Sequence, residues 1–406
     1  MSENSPLFVV GAPRSGTTLL AAMLSAHPRI QGGQETHFFN RLARTSTLEL
    51  LDPRCWPGPA TAFLASNLTL GRPVHEAFGL TLEEVRGYLA SREPSIAAML
   101  ESLTRVNAQR EGKPRWLEKT PNHLLHLQDL RRAFPDAYVL RIVRDPRDVA
   151  LSMCRVPWGS LSPLANISLW QNWDNASWRF FEADPRSMTI RFEELVTDPE
   201  GTLRAVCTQI GEEFDPGMLD TAESAKALVS PIEWWKADAG KPIDRTRLGT
   251  WERLFPTEEL RAAEFLCSDG LSRYDYAVTR GAPLGVLTVV PMSRELVEAH
   301  RDVILRLADR GVALRSLSHD IWDLNWAESE GRECLVFWGV PFPGHSRAER
   351  LASIARLARL LIRRSLSGKR SLCWPVGFGR ISGKSEGLSR LLIRLCCREV
   401  ALEAMR

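Results

Sequence analysis

The chain has 406 residues, 44% of them hydrophobic and 25% charged, and a formal net charge of +3. These values describe an ordinary globular protein with room for more than one domain, exclude a disordered or fibrous chain, and give no reason to expect a nucleic-acid partner. The eight cysteines show no CxxC pair or zinc spacing, the first apolar run is too short for a signal peptide, and no run approaches the roughly 18 residues of a membrane span, so a cytoplasmic protein with reduced thiols and no metal is expected.

Leu7-Phe8-Val9-Val10 is a continuous apolar run closed by Gly11, and Leu19, Leu20, Met23 and Leu24 follow at helical spacing. That pattern predicts strand, glycine turn and helix. The unit recurs at 138–143 (YVLRIV), followed by Arg144-Asp145-Pro146-Arg147 and a helix over 148–153. Residues 187–192 read as a third strand and 200–210 as the helix after it, whereas 94–135 and 165–183 read as mostly helical. Strands alternating with helices predict an α/β fold of the P-loop type, a central parallel sheet flanked by helices. Helices at 251–254 and 258–267 close this domain near Tyr276, and the turn-rich Thr279-Arg280-Gly281-Ala282-Pro283 sets a boundary between domains 1–279 and 280–406. Beyond it, 285–290 and 333–340 read as strands and 294–310 and 347–364 as helices, an α/β appendage of unknown fold.

The turn from Gly11 to Thr18 (GAPRSGTT) carries the chemistry. Backbone N–H groups and the positive end of the helix dipole converge where a strand turns through glycines into a helix, which makes an anion site. Ser15, Thr17 and Thr18 add hydroxyl donors. Gly11, Gly16 and Thr18 satisfy the nucleotide-binding pattern GxxxxGK[ST], but Thr17 stands where its lysine belongs, and the cation sits inside the loop as Arg14. The 138–143 strand ends in Arg144 rather than in a magnesium-holding acid, which weakens a kinase reading.

These residues resemble the superfamily of sulfotransferases that use 3'-phosphoadenosine-5'-phosphosulfate (PAPS), in particular the branch with tyrosylprotein and many bacterial members, over about residues 6–276. The resemblance implies that Gly11, Arg14, Ser15, Gly16, Thr17 and Thr18 hold the 5'-phosphosulfate, with Arg14 on the bridging oxygen. It implies that Arg144 and Ser152, eight residues apart, grip the 3'-phosphate. Gly33-Gln34-Glu35-Thr36-His37-Phe38 is similar to the segment whose glutamate is the general base, here Glu35, with His37 as a second candidate. Lys119 in Trp116-Leu117-Glu118-Lys119-Thr120-Pro121 would face the transferring sulfonate, and Arg245 or Arg247, before Gly249-Thr250-Trp251, would close over the 3'-phosphate. Phe192 departs from the family's usual tyrosine. A sulfotransferase acting without metal on an acceptor hydroxyl is therefore expected, on a small metabolite, lipid, glycolipid or carbohydrate rather than a protein tyrosine. The rivals are a non-catalytic PAPS-fold binder and a P-loop kinase.

Residues 280–406 carry about +8 and residues 1–279 about −5. Leu351, Ile354, Ala358 and Leu361 recur at helical spacing among arginines, as in a basic interfacial helix. Contact of 347–366 with an anionic membrane surface, packing onto the catalytic domain and a homodimer all stay open.

Overall fold

The apolar run Leu7–Val10 is the middle strand of a five-stranded, all-parallel sheet. It lies between Arg115–Lys119 and Tyr138–Val143, with Ile30–Gln31 and Ser187–Arg191 at the edges. The computed structural model describes residues 4–279 and, beyond them, 285–290, 294–299, 301–309, 312–316, 334–337, 370–373, 398–399 and isolated positions between 355 and 366. The three inner strands are buried along their whole length, as a sheet covered on both faces requires. Helix Thr17–Ala26 and helix Pro199–Ile210 pack Leu20, Met23, Leu203 and Val206 against Leu7, Val9 and Leu140 of the sheet. Register places Val9 opposite Lys119 on one side and Leu140 on the other, so the strand end before Gly11 lies beside the end that carries Lys119.

Residues 94–135 are mostly helical, as expected, but between helix Ile96–Arg110 and helix Leu127–Ala133 runs a strand that the sequence reading did not contain, Arg115–Lys119. Three of its five residues are charged and all five are buried, which hides the strand from any apolar-run criterion. Distant segments supply the partners. Arg115 donates to the carbonyls of Ser5 and Ile210 at 2.5 and 2.9 Å and pairs with Glu212 at 3.1 Å. Glu118 accepts from Thr36, Thr120 and His123, and Lys119 pairs with Glu35.

The backbone packs as two compact units, one of residues 1–144 and 179–248, the other of 145–178 and 249–406. The sheet above belongs to the first. The second contains helices Pro146–Met153, Thr257–Leu266 and Ser268–Arg273 and another all-parallel sheet, in the order Arg398–Glu399, Arg370–Cys373, Cys334–Phe337, Gly285–Val290, Val312–Ser316. Strands thus occur at 285–290 and within 333–340, while 294–310 holds two helices, Arg294–Ala299 and Arg301–Asp309. The helix expected at 347–364, and with it the surface of 347–366, lies outside the described residues apart from isolated positions. Among the described residues no helix is long and apolar enough to cross a membrane.

Candidate active site

The glycine loop is shaped by what surrounds it. A Cβ at Gly11 would stand 2.6 Å from the carbonyl oxygen of Ile142, and one at Gly16, where φ is 104°, 2.5 Å from the ring of Phe192. Only glycine fits either place. Arg14 also takes a positive φ of 71°, and the Ser15 amide turns back to the carbonyl of Ala12 at 3.1 Å. Ser15 is fully buried, and its Oγ meets no hydrogen-bond partner among the described residues. A buried hydroxyl left open in a loop ahead of a helix fits an anionic group such as a phosphate.

Guanidinium groups gather around that loop. Arg144 is buried, stacks on Phe192 at 4.5 Å from the ring centroid, and donates through Nη2 to the carbonyl of Arg247 at 2.7 Å. Phe192 therefore closes the back of Gly16 and seats Arg144, a role that needs a ring and no phenol hydroxyl. Burial first, then repulsion from Arg144 and Arg247, lowers the Arg14 guanidinium to about 10, with Asp238 and Glu35 opposing. It stays charged at neutral pH, in a concentration of positive charge suited to phosphate dianions. Of the two late arginines, Arg247 belongs to this group and pairs with Asp238 at 2.5 Å, whereas exposed Arg245 donates to the Thr197 carbonyl at 2.8 Å. Ser152 lies on helix Pro146–Met153, in the second unit.

Glu35 and Lys119 meet as an ion pair at 2.6 Å, Oε1 to Nζ, and Lys119 also reaches Thr18 Oγ1 at 3.4 Å. Lys119 is fully buried, and 13% of the Glu35 side chain is exposed. Burial alone would raise the Glu35 carboxyl, but Lys119 and Lys236 outweigh it and hold it well below the usual carboxylate range. His37 stands 3.5 Å from Glu35 Oε2; burial first lowers its pKa and leaves the imidazole neutral at pH 7. Behind the pair, Glu118 Oε1 accepts from the hydroxyls of Thr36 and Thr120 at 2.7 and 2.6 Å, and its Oε2 meets His123 at 2.9 Å. This fully hydrogen-bonded buried cluster fixes the residues next to both Glu35 and Lys119.

Two findings lie outside the sequence reading. Lys236 brings a second ammonium to Glu35, and only a Glu233/Lys236 spacing of i,i+3 hints at its pairing. In the second unit, Asp148 of the Arg144-to-Ser152 segment accepts from the amides of Gly249 and Trp251 at 3.1 and 2.9 Å and from the Thr250 hydroxyl at 2.6 Å, while Arg147 stacks on Trp251 at 3.5 Å. Among the described residues no group of three or more His, Cys, Asp or Glu side chains is arranged to hold a metal ion.

The sulfotransferase family model matches residues 6–216, just over half of the chain, including the five strands of the first sheet, the glycine loop, Glu35 and Lys119. The chain belongs to the sulfotransferase family. This sulfotransferase is 26% identical over 273 residues to protein-tyrosine sulfotransferase 2 of Gallus gallus, a match covering 64% of this chain and 67% of that protein. It is 25% identical over 266 residues to the protein-tyrosine sulfotransferase of Drosophila melanogaster, covering 63% of this chain and 48% of the other, so it spans about half of the Drosophila protein. A third similarity, 25% over 357 residues, is to the nodulation protein NoeE of Sinorhizobium fredii and covers 80% of this chain and 75% of NoeE. A match of that extent takes in part of the chain beyond the sulfotransferase core.

Proposed function

We propose that this sulfotransferase moves a sulfuryl group from PAPS to an acceptor hydroxyl by in-line transfer that needs no metal. The observation that carries the reading is the Glu35–Lys119 pair at 2.6 Å, with Lys119 also 3.4 Å from Thr18 of the glycine loop. PAPS, when bound, supplies a sulfuryl group activated by its phosphate leaving group. Gly11, Arg14, Ser15, Gly16, Thr17 and Thr18 would hold its 5' end, and Arg144 and Arg247 its 3'-phosphate. Glu35 takes the proton of the acceptor hydroxyl. Arg14 and Lys119 stabilise the negative charge that develops at the mouth of the loop.

The electrostatics of Glu35 bear on the acceptor. A carboxylate held low by two ammoniums takes a proton more readily from a phenol, with a pKa of about 10, than from a sugar or lipid alcohol, and the same ammoniums stabilise a phenolate. The names of the chicken and Drosophila relatives support the same order. We therefore put a phenolic hydroxyl, a tyrosine side chain included, ahead of carbohydrate, lipid and other alcohols, the reverse of the sequence-based order.

Calorimetry of 3'-phosphoadenosine-5'-phosphate binding tests the donor site, with ATP as control. Wild type binds the product nucleotide more tightly than ATP, and Arg144→Ala loses at least about tenfold in affinity, as loss of a charge-assisted phosphate contact requires. Equal binding of both nucleotides, unaffected by Arg144→Ala, overturns the assignment. Transfer abolished by added chelator overturns metal independence.

A further inference from the structure

Glu35 has a second ammonium that no motif announces. Lys236, from the turn Trp234–Gly240 and 201 positions along the chain, places Nζ 2.6 Å from the same Oε1 that Lys119 reaches. Lys236 is itself held by Glu233 Oε1 at 2.5 Å, and Glu233 Oε2 accepts the Ser230 amide at 3.2 Å. One oxygen of Glu35 is thus crowded by two cations, and the other, Oε2, faces neutral His37 at 3.5 Å.

We propose that Lys236, tethered by Glu233, is a positioning residue that pins Glu35 Oε1 and leaves Oε2 as the oxygen that meets the acceptor hydroxyl. The inference rests on the reading of Glu35 as the proton acceptor. The charged and titratable groups facing Glu35 are Lys119 from the strand, Lys236 from the turn, His37 from its own segment and Arg14 from the loop; those facing Lys236 are Glu35, Glu233, Lys119 and His37. Burial alone would lower the Lys236 ammonium, but Glu35 and Glu233 outweigh it and it keeps its charge. Lys119 is shared between Glu35 and the loop, whereas the Lys236 ammonium pairs with the carboxylates of Glu35 and Glu233. When Lys119 serves negative charge at the loop, Lys236 is the counter-charge left on Glu35, and it is partly neutralised by Glu233. The pair therefore aims the carboxylate while limiting how far its basicity falls.

Lys236→Met keeps the apolar stem and removes the charge. In nucleotide-free protein labelled at the glutamate carboxyl carbons, the Glu35 signal is identified by its absence in Glu35→Gln. In Lys236→Met that signal titrates at higher pH than in wild type, by on the order of one unit, and the acid limb of kcat moves up with it. Lys236→Arg returns both to the wild-type position. Glu233→Gln keeps both lysines and moves the acid limb the opposite way; it decides the matter if Lys236→Met fails to fold, which lost binding of 3'-phosphoadenosine-5'-phosphate would reveal. A Glu35 signal and acid limb that stay in place in the folded variant overturn the proposal. Full activity in Glu35→Gln overturns the assignment of Glu35 as base instead, whatever the Lys236 variants do.

Discussion

A carboxylate between two ammoniums keeps its charge and gives up much of its basicity, so the work of Glu35 depends on what its neighbours do during the reaction. Glu35→Gln preserves shape, keeps one acceptor oxygen for the two lysines and removes the proposed proton acceptor. Turnover should fall by about 10²–10⁴-fold in a radiolabel transfer assay while 3'-phosphoadenosine-5'-phosphate still binds. Gly16 is the other sensitive residue. With φ at 104° and the Phe192 ring 2.5 Å from where a Cβ would stand, Gly16→Ala combines a strained backbone with a collision. Left-handed strain alone costs about 1–2 kcal/mol. The loop must open or Phe192 must shift and unseat Arg144, so nucleotide affinity measured by calorimetry should drop at least tenfold.

At the scale of elements, buried charge holds strands and helix ends in place. The strand Arg115–Lys119 exists because partners from three other segments, around Ser5, Glu35 and Ile210, meet its charges. Truncating Arg115 to alanine leaves two buried carbonyls without their donor, although Glu212 keeps Arg29 at 3.0 Å. Breaking such a pair costs about 3 kcal/mol, to be read as a lowered urea midpoint. Asp148 plays the corresponding part in the second unit, where one buried carboxylate collects three donors from Gly249, Thr250 and Trp251. Asp148→Ala should lower stability by about 1–3 kcal/mol and detach that segment. Unchanged protection of the Trp251 amide in hydrogen exchange would contradict this account.

For the whole molecule these carboxylates make stability depend on pH. Burial alone would raise Glu118, but His123, Thr120 and Thr36 outweigh it and its pKa is lowered in the folded state, as is that of Glu35. A depressed folded pKa gives a contribution that is complete above the unfolded value of about 4.3 and is lost as pH falls toward the folded value. Thermal unfolding should therefore be nearly flat in pH around neutrality and fall steeply below about pH 5. Glu118→Gln, less stable at pH 7, should converge with wild type in acid; a constant gap between the two would refute the linkage.

Local pattern alone made much of the core legible. A continuous apolar run marked the strand Leu7–Val10, and a run broken only by Arg141 marked Tyr138–Val143, because strands buried on both faces carry no alternation to decode. The loop from Gly11 to Thr18 was readable because anion binding at a strand-to-helix turn needs glycine, hydroxyl and cation at short spacing, and that chemistry sits within one segment. The strand Arg115–Lys119 was not readable, since its charges are made tolerable by Ser5, Glu35, Ile210 and Glu212, and no local window contains those partners. The same reason hid Lys236. Side-chain identity and spacing determine which groups this protein brings to sulfuryl transfer; which ammonium stands on which carboxylate oxygen, and hence how strong a base Glu35 is, was decided only when the folded chain set residues 35, 119 and 236 within hydrogen-bond distance.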